Sequence, residues 1–196
     1  MKHRIVIGIS GASGSVYGIR LLERLQSSGA AESHLIVSPA GARTALLETG
    51  RRIGEIRDLA DFCYANDDIG ARLASGSFPT QGMVIAPCSI HTMSAIAAGI
   101  TNNLLTRAAD VNLKERRRLI LMVRETPLHL GHLRNMVQLA EMGAIIAPPI
   151  PGFYHRPETV QELVDHSVER VLDLLGLPAP DARRWNPGGD GNEREE

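Results

Sequence analysis

The sequence has little of what marks a secreted, membrane-bound or nucleic-acid-binding protein. Its 196 residues include only two cysteines, Cys63 and Cys88, so it offers no disulfide framework. No apolar run approaches the roughly 18–20 residues of a membrane span, and no apolar signal segment precedes the first predicted strand. The formal net charge of −1 creates no overall field that would attract nucleic acid or an anionic membrane. These absences predict a cytoplasmic protein, with no membrane or nucleic-acid partner, in which any anion site is local.

The sequence has the patterning of one α/β domain. Short β-branched runs alternate with stretches of helical spacing, which favours right-handed βαβ units and a largely parallel sheet. Strands are predicted over residues 4–9, 35–38, 83–86, 119–123 and 144–147. Helices are predicted over residues 16–25, 40–48, 92–98, 104–113, 133–142 and 158–175. We expect a single domain over residues 1–177 and a loosely ordered tail over residues 178–196.

A loop of small residues, GISGASG over residues 8–14, joins the first predicted strand to the first helix. Small side chains let backbone N–H groups approach an anion at a helix N-terminus. A dinucleotide fingerprint needs glycine where Ser10 stands and an acidic residue where Ser38 ends the second strand. The loop therefore favours a mononucleotide phosphate held partly by hydroxyls. The alternative is a tight turn in which Ser13 caps the helix.

A second motif, APCSIHT over residues 86–92, ends the third predicted strand and opens a helix. Ligands of open α/β sheets collect at the carboxyl ends of strands, so Ser89 and Thr92 could bind a phosphate or the edge of a flavin ring. Cys88 could be a nucleophile, but no acidic partner follows it, and a small buried hydrophobe is the favoured interpretation. His91 could perform acid–base chemistry or simply face solvent.

Basic residues form the third candidate group. Arg124 directly follows the strand predicted over residues 119–123, beside Glu125, where a substrate would be met. Residues 116–118 are predicted to form a solvated face. Cations without an Asp-rich motif favour a phosphate bound without a metal ion. The other candidate cations are Arg107, Lys114 and Arg170.

Two motifs near the C-terminal end have competing interpretations. His129 and His132 have the i, i+3 spacing of a metal-binding pair, but no third ligand is evident, and no metal is predicted. Tyr154 follows a proline-rich turn after the fifth predicted strand. Its phenol is either a staple of the loop or a hydroxyl that binds an anion.

These segments resemble, in combination and in this order, the UbiX family of flavin prenyltransferases, which includes proteins paired with aromatic acid decarboxylases. The resemblance covers residues 4 to about 177. It is carried by GISGASGSVYG, MVIAPCSIHTMSAIAAG, NNLLTRAADVNLKERR, LMVRETPLHLGHLRNM, GAIIAPPIPGFYHRPETV and VLDLLG. The resemblance implies a Rossmann-like, flavodoxin-type three-layer sandwich. It also implies a trimer-based homo-dodecamer with active sites shared between subunits.

The activity that this resemblance implies is transfer of the dimethylallyl group of dimethylallyl phosphate to N5 and C6 of reduced FMN. The product, prenylated FMN, would serve a UbiD-type decarboxylase. By motif match, FMN would be bound by Gly11, Ala12, Ser13, Ser38, Ser89, Ile90, His91, Thr92 and Arg124. The prenyl phosphate would be bound by Arg107, Lys114, Tyr154, Arg170 and the tail residue Trp185. The implied catalytic residues are Glu48, Lys114, Arg124, Glu125 and Tyr154.

Roles follow for the implied catalytic groups. The cations would stabilise the departing phosphate as its charge grows. Glu48 and Glu125 would carry the proton transfers, one to the phosphate and one from flavin C6.

One position departs from the family pattern. Many members carry a tryptophan over the prenyl group where this chain has Ile69, and an aliphatic side chain supplies no π face. The departure leaves the rate and the choice of prenyl donor open, and favours the aromatic-decarboxylase branch of the family.

Two other functions are compatible with the same fold. The first is an FMN-dependent cysteine decarboxylase, disfavoured because the chain has no histidine at the end of the first helix region. The second is a non-enzymatic FMN-binding accessory subunit of an aromatic acid decarboxylase.

Overall fold

Residues 3–177, which the computed structural model describes, alternate strands with helices. The strands are β1 (His3–Ile9), β2 (Ala31–Val37), β3 (Phe62–Tyr64), β4 (Gly82–Cys88), β5 (Arg118–Val123) and β6 (Ile145–Ile146). The helices are α1 (Ser15–Ser28), α2 (Pro39–Thr49), α3 (Ile53–Arg57), α4 (Ile90–Ala97), α5 (Leu104–Lys114), α6 (Leu130–Glu141) and α7 (Val160–Leu175). A short 3₁₀ turn, Arg72–Ala74, precedes β4.

The six strands form one sheet in the order β3-β2-β1-β4-β5-β6, and every neighbouring pair is parallel. Successive strands add outward on one side of β1 and then, from β4, on the other. β1 is therefore central, and the side chains of Ile5, Ile7 and Ile9 are fully buried, as expected for a strand covered on both faces. The predicted α/β class with a largely parallel sheet is confirmed.

The edge beyond β1 contains the elements that the sequence patterns missed. β3 has three residues and α3 has five, too short for a periodic signal. β2 begins at Ala31, four residues before the predicted start. The prediction started too late because polar residues interrupt the apolar pattern of the first half of this strand. One of them, His34, is fully buried, with Nε2 2.9 Å from Glu32 Oε1 and Nδ1 2.9 Å from the Tyr64 hydroxyl.

Two compact units divide the chain. The first, Met1–Pro149, contains the whole sheet. The second, Ile150–Glu196, contains over its described residues 150–177 a loop followed by α7. The prediction of one domain over residues 1–177 stays a prediction, and the predicted tail over residues 178–196 lies outside the described residues.

Candidate functional site

A cleft of about 410 Å³ opens in the first unit, just beyond the carboxyl ends of β1, β2, β3 and β4. Strand order reverses between β1 and β4, and ligands of open parallel sheets bind at such a point. The volume of the cleft lies in the range of small-molecule binding pockets. The cleft is lined by Gly11, Ser38, Pro39, Ala40, Asn66, Ser89, His91, Thr92, Asn103, Leu105 and Thr106.

Three helices begin at this cleft, each with a polar N-cap. Ser38 Oγ accepts a hydrogen bond from Gly41 N at 3.0 Å at the start of α2. Ser89 Oγ accepts one from Thr92 N at 3.2 Å at the start of α4. Asn103 Oδ1 accepts one from Thr106 N at 3.0 Å at the start of α5. Because each helix N-terminus carries a partial positive charge, their convergence favours a bound anion.

Close backbone packing shapes the floor of the cleft. A Cβ on Gly11 would lie 2.5 Å from the Cβ of Ala40, so only glycine lets the loop meet α2 here. Ser10 is buried, and its hydroxyl donates to Pro87 O while accepting from Ser89 N, both at 2.8 Å. Ser10 therefore fastens the β1 loop to the β4 loop, and its hydroxyl is already bonded within the protein.

The N-terminus of α1 is bonded to a carboxylate of the protein itself. Glu48, near the end of α2, accepts hydrogen bonds from Gly14 N at 3.0 Å, Ser15 N at 3.0 Å and Ser15 Oγ at 2.7 Å. Burial alone would raise the pKa of Glu48, but hydrogen bonds from Ser13, Ser15 and Gly14 outweigh it and hold that pKa below its usual value. The alternative that Ser13 caps α1 is wrong, because Gly14 holds the N-cap position without a side-chain cap bond.

Arg124 meets this same loop. Its Nε donates to Ser13 O at 3.2 Å, and its backbone N donates to Cys88 O at 3.1 Å. Ser13, Glu48 and Arg124 thus form one group, which we call the loop group. The neighbouring Glu125 is exposed and accepts from Thr126 N at 3.0 Å.

The remaining predicted flavin-binding residues have different surroundings. Ala12 is buried, and Ile90 packs its side chain against the hydrophobic core. His91 is exposed and lines the cleft. Cys88 is fully buried, and burial raises the pKa of its thiol. Its interpretation as a small buried hydrophobe is confirmed.

Neither Lys114 nor Arg107 is among the residues that line the cleft. α5 starts at the cleft with Asn103 and runs for 11 residues, about 16 Å at 1.5 Å per residue. The ammonium group of Lys114, the last residue of α5, forms a hydrogen-bonded ion pair with the carboxylate of Glu115. Arg107 donates to Ala74 O at 3.2 Å and to Asp110 Oδ2 at 2.7 Å. Within one chain the structure does not bring Lys114 to the cleft.

Arg117 corrects the prediction that residues 116–118 form a solvated face. Its guanidinium donates to Gly76 O at 2.6 Å and Phe78 O at 2.9 Å. It therefore fastens the segment before β4, while Arg116 and Arg118 are exposed.

Three predicted substrate-binding residues belong to the second unit. The Tyr154 hydroxyl lies 2.6 Å from His166 Nε2, and Arg170 is exposed on α7. Trp185 lies outside the described residues.

Comparison with known proteins places the chain in a family. It matches the Flavoprotein family over residues 1–172. It is 54% identical over 177 residues to the flavin prenyltransferase UbiX of Salmonella typhimurium, covering 90% of this chain and 94% of that protein. A probable UbiX-like flavin prenyltransferase of Bacillus subtilis is 49% identical, covering 94% of this chain and 90% of that protein. The chain belongs to the UbiX flavin prenyltransferase family.

Solved UbiX structures share the fold throughout. AnUbiX (PadA1), crystallised in complex with FMN and dimethylallyl pyrophosphate, superposes with a TM-score of 0.93 at 43% identity, covering 95% of this chain and 98% of that one. A dodecameric FMN-dependent UbiX-like decarboxylase from Escherichia coli O157:H7 gives a TM-score of 0.91 at 45% identity, covering 93% and 99%. The cysteine decarboxylase TvaF, at 19% identity and a TM-score of 0.63, shares the fold alone. The resemblance to the UbiX family is confirmed.

Cleft residues that the motifs did not identify come from short or polar segments. Asn66, after β3, accepts hydrogen bonds from Leu104 N at 2.7 Å and Leu105 N at 3.4 Å. No signal pointed to Asn66, because β3 itself was not predicted. Asn103 could have been found, since asparagine before an apolar helical run is an N-cap signature. Thr106 follows it by three positions on the same helix face.

Neither a metal centre nor a membrane helix is found in residues 3–177. No group of three or more histidine, cysteine, aspartate or glutamate side chains in this range is arranged to hold a metal ion. The rings of His129 and His132 are tilted by 31° with centroids 3.5 Å apart, and His129 Nδ1 accepts a hydrogen bond from Gly131 N. No helix of this range has the length and apolarity to cross a bilayer.

Proposed function

We propose that this protein is a flavin prenyltransferase. It joins the dimethylallyl group of dimethylallyl phosphate to N5 and C6 of reduced FMN and yields prenylated FMN. One observation supports this above the others. A cleft built from three helix N-termini and hydroxyl side chains lies at the switch point of the sheet, in a chain 54% identical to a UbiX flavin prenyltransferase.

The cleft suits an FMN molecule in chemistry and in size. Hydroxyls of Ser38 and Thr92 lie beside the starts of α2 and α4, and Ser89 Oγ donates to Thr92 Oγ1 at 3.1 Å. Together with the backbone N–H groups of the two helix starts, such hydroxyls suit a phosphate ester. Gly11 lets the loop after β1 pack closely against the start of α2 at this cleft. We therefore assign the flavin to this cleft, bound chiefly by Gly11, Ser38, Ser89, His91 and Thr92. Bound there as prenyl acceptor, reduced FMN supplies the nucleophilic N5 and C6.

The loop group is proposed to act at the reacting end of the flavin. Arg124 brings a permanent positive charge to the β1 loop, where it would stabilise phosphate as it leaves. Since hydrogen bonds keep the pKa of Glu48 low, this carboxylate starts as an anion. Glu48 would therefore accept a proton, whereas Glu125 is the candidate for donating one.

Lys114 and Arg107 are proposed to serve the site of a neighbouring subunit. Lys114 lies at the end of α5 that leads into Arg118, the residue at which β5 starts, whereas the cleft lies at the other edge of the sheet. A copy of the chain packed against the cleft would supply positive charges, which the lining residues within 3–177 do not. We propose a homo-dodecamer, the assembly recorded for the Escherichia coli relative.

Tyr154, Arg170 and Trp185 are proposed to complete the phosphate pocket. A phenol and a guanidinium are both donors that bind phosphate without a metal ion. We further propose a cytoplasmic location and a UbiD-type decarboxylase as the recipient of the product. The motif match with the UbiX family supports these roles.

The proposed activity is tested by incubating the purified protein anaerobically with reduced FMN and dimethylallyl phosphate and measuring the mass of the flavin. Prenyl transfer predicts a flavin heavier by one five-carbon unit, in the presence of EDTA as in its absence. An FMN-binding accessory subunit would bind the flavin and leave its mass unchanged. A cysteine decarboxylase would leave it unchanged and release carbon dioxide from a thiol substrate.

A further inference from the structure

We propose that His166 is a positioning residue that orients the hydroxyl of Tyr154 toward the phosphate of the prenyl donor. The inference rests on the proposed function, because it takes Tyr154 as a ligand of that phosphate. No motif singled out His166, which lies in the middle of α7.

The contact between the two side chains is short and direct. Tyr154 Oη lies 2.6 Å from His166 Nε2, and the two rings meet edge to face at 78° with centroids 5.4 Å apart. A phenolic hydrogen otherwise rotates about its C–O bond. The bond to an imidazole nitrogen therefore fixes the position of the oxygen, and the tautomer of His166 decides which of the two groups donates. The phenol itself is 49% exposed, so its oxygen can also meet a ligand.

The surrounding residues hold His166 in this position. Its ring stacks on the ring of His155, with centroids 4.4 Å apart and an interplanar angle of 24°. A Cβ on Gly152 would lie 3.2 Å from His166 Cε1 and 3.1 Å from Tyr154 Cε1. A Cβ at residue 152 would therefore press on both rings and shift them by a few tenths of an ångström.

The chemistry of the pair suits an anion. Burial, followed by the nearby His155, lowers the pKa of His166, so the imidazole is neutral near pH 7 and has one donor and one acceptor nitrogen. When Nε2 carries the hydrogen, it donates to the phenol oxygen and leaves the phenolic O–H to donate outward. A phosphate oxygen is the acceptor that this arrangement favours.

Two substitutions separate the hydrogen bond from the packing. His166→Phe keeps a ring that can stack on His155 but removes the nitrogen. His166→Gln keeps a polar group that can reach the phenol. Each is made alone and in a Tyr154→Phe background, and the wild type is measured in parallel. Anaerobic assays give kcat and KM for dimethylallyl phosphate, and titration gives the FMN affinity.

We expect His166→Phe to raise KM for dimethylallyl phosphate about 3–10-fold, the effect of one neutral hydrogen bond, with a smaller change in kcat and unchanged FMN affinity. His166→Gln should restore most of the loss. In the Tyr154→Phe background, His166→Phe should add no further loss, because the two residues act through one bond. Gly152→Ala, which leaves both side chains chemically intact, should raise the same KM.

Three results would overturn the inference. Additive losses in the double variant would assign His166 to local packing alone, and an unchanged KM in His166→Phe with an active wild type would remove it from the site. A wild type that forms no prenylated flavin would overturn the proposed function and this inference together.

Discussion

The flavin cleft and the cations proposed to bind the prenyl phosphate are built in opposite ways. The cleft comes from turns that follow four parallel strands, so its residues meet automatically at one edge of the sheet. The cations lie on α5, at the end of β5 and in the second unit, and those of α5 are bonded to their own chain. One chain forms the cleft, whereas our proposal takes Lys114 and Arg107 of the phosphate pocket from a second copy. The predictions below test whether the cleft binds FMN while the cations bind the prenyl phosphate.

The largest effect is expected from a negative charge in the cleft. Ser38→Asp keeps a good N-cap for α2 but sets a carboxylate against the FMN phosphate. In a partly desolvated cleft this repulsion should weaken FMN binding on the order of 100-fold or more. Isothermal titration measures the FMN affinity of this variant, and Ser38→Asn is the neutral control with the same shape as aspartate. Equal affinity in the two variants would place the phosphate away from Ser38.

A smaller loss, confined to the transfer step, is expected from Lys114→Met. The substitution removes a positive charge and keeps most of the side-chain length. Losing one charge-assisted hydrogen bond costs about 1.5–3 kcal/mol, a drop of about 10–150-fold in prenyl transfer. FMN affinity should stay unchanged because Lys114 is proposed to bind the phosphate of the prenyl donor rather than the flavin. Arg116→Ala, at an exposed neighbouring position, is the control and should retain full activity.

A gain is expected from Ile69→Trp. Ile69 is 59% exposed and follows the cleft residue Asn66 by three positions. A tryptophan face can stabilise the allylic cation by about 0.5–2 kcal/mol, or about 2–30-fold in rate. The rate of flavin prenylation measures this gain, and Ile69→Leu is the aliphatic control. A tryptophan variant no faster than the leucine variant would show that the π face is not used in this chain.

The smallest effect concerns Glu48 and the stability of the fold. Its lowered pKa means that the ionised carboxylate stabilises the folded state, fully above the unfolded pKa of about 4.3, and that this contribution disappears as pH falls through the lower folded pKa. Because Glu48 is exposed, solvent screening should limit the contribution to about 0.3–1 kcal/mol.

Denaturant unfolding of wild type and Glu48→Gln from pH 3 to pH 7 tests that contribution. The wild type should be the more stable near neutrality, with the difference shrinking below about pH 4.3. A difference independent of pH would mean that the charge of Glu48 does not stabilise the start of α1.

The difference between the two regions also explains what could be predicted from the sequence. Ser38 and Ser89 were found because each directly follows an apolar strand and opens a helix, a local signal for both position and chemistry. Asn66 was missed because β3 is three residues long. The loop over residues 8–14 was identified, but the bonding of Glu48 to Gly14 and Ser15 was not, since it joins residues more than 30 positions apart.

The cations show the limit of local reasoning more clearly. Arg116–Arg118 looked equivalent along the chain, yet Arg117 is bonded to two carbonyls of a segment about 40 residues earlier. Lys114 has no pattern that separates a substrate ligand from a surface lysine. Only the resemblance to the UbiX family implied that Lys114 binds the prenyl phosphate. The fold then showed that the cleft of the same chain lies at the other end of α5.

Co-assembly of two defective variants tests most directly whether these regions form one prenyl-transfer site. Ser38→Asp subunits have a damaged cleft and an intact Lys114, and Lys114→Met subunits have the reverse. If a site takes its cleft from one copy and its lysine from the next, random mixing should restore roughly a quarter of the wild-type rate of flavin prenylation. Each variant assembled alone should stay well below this, since Lys114→Met keeps at most about a tenth of the wild-type rate. Mixed oligomers no more active than the two variants measured separately would contradict a site shared between subunits.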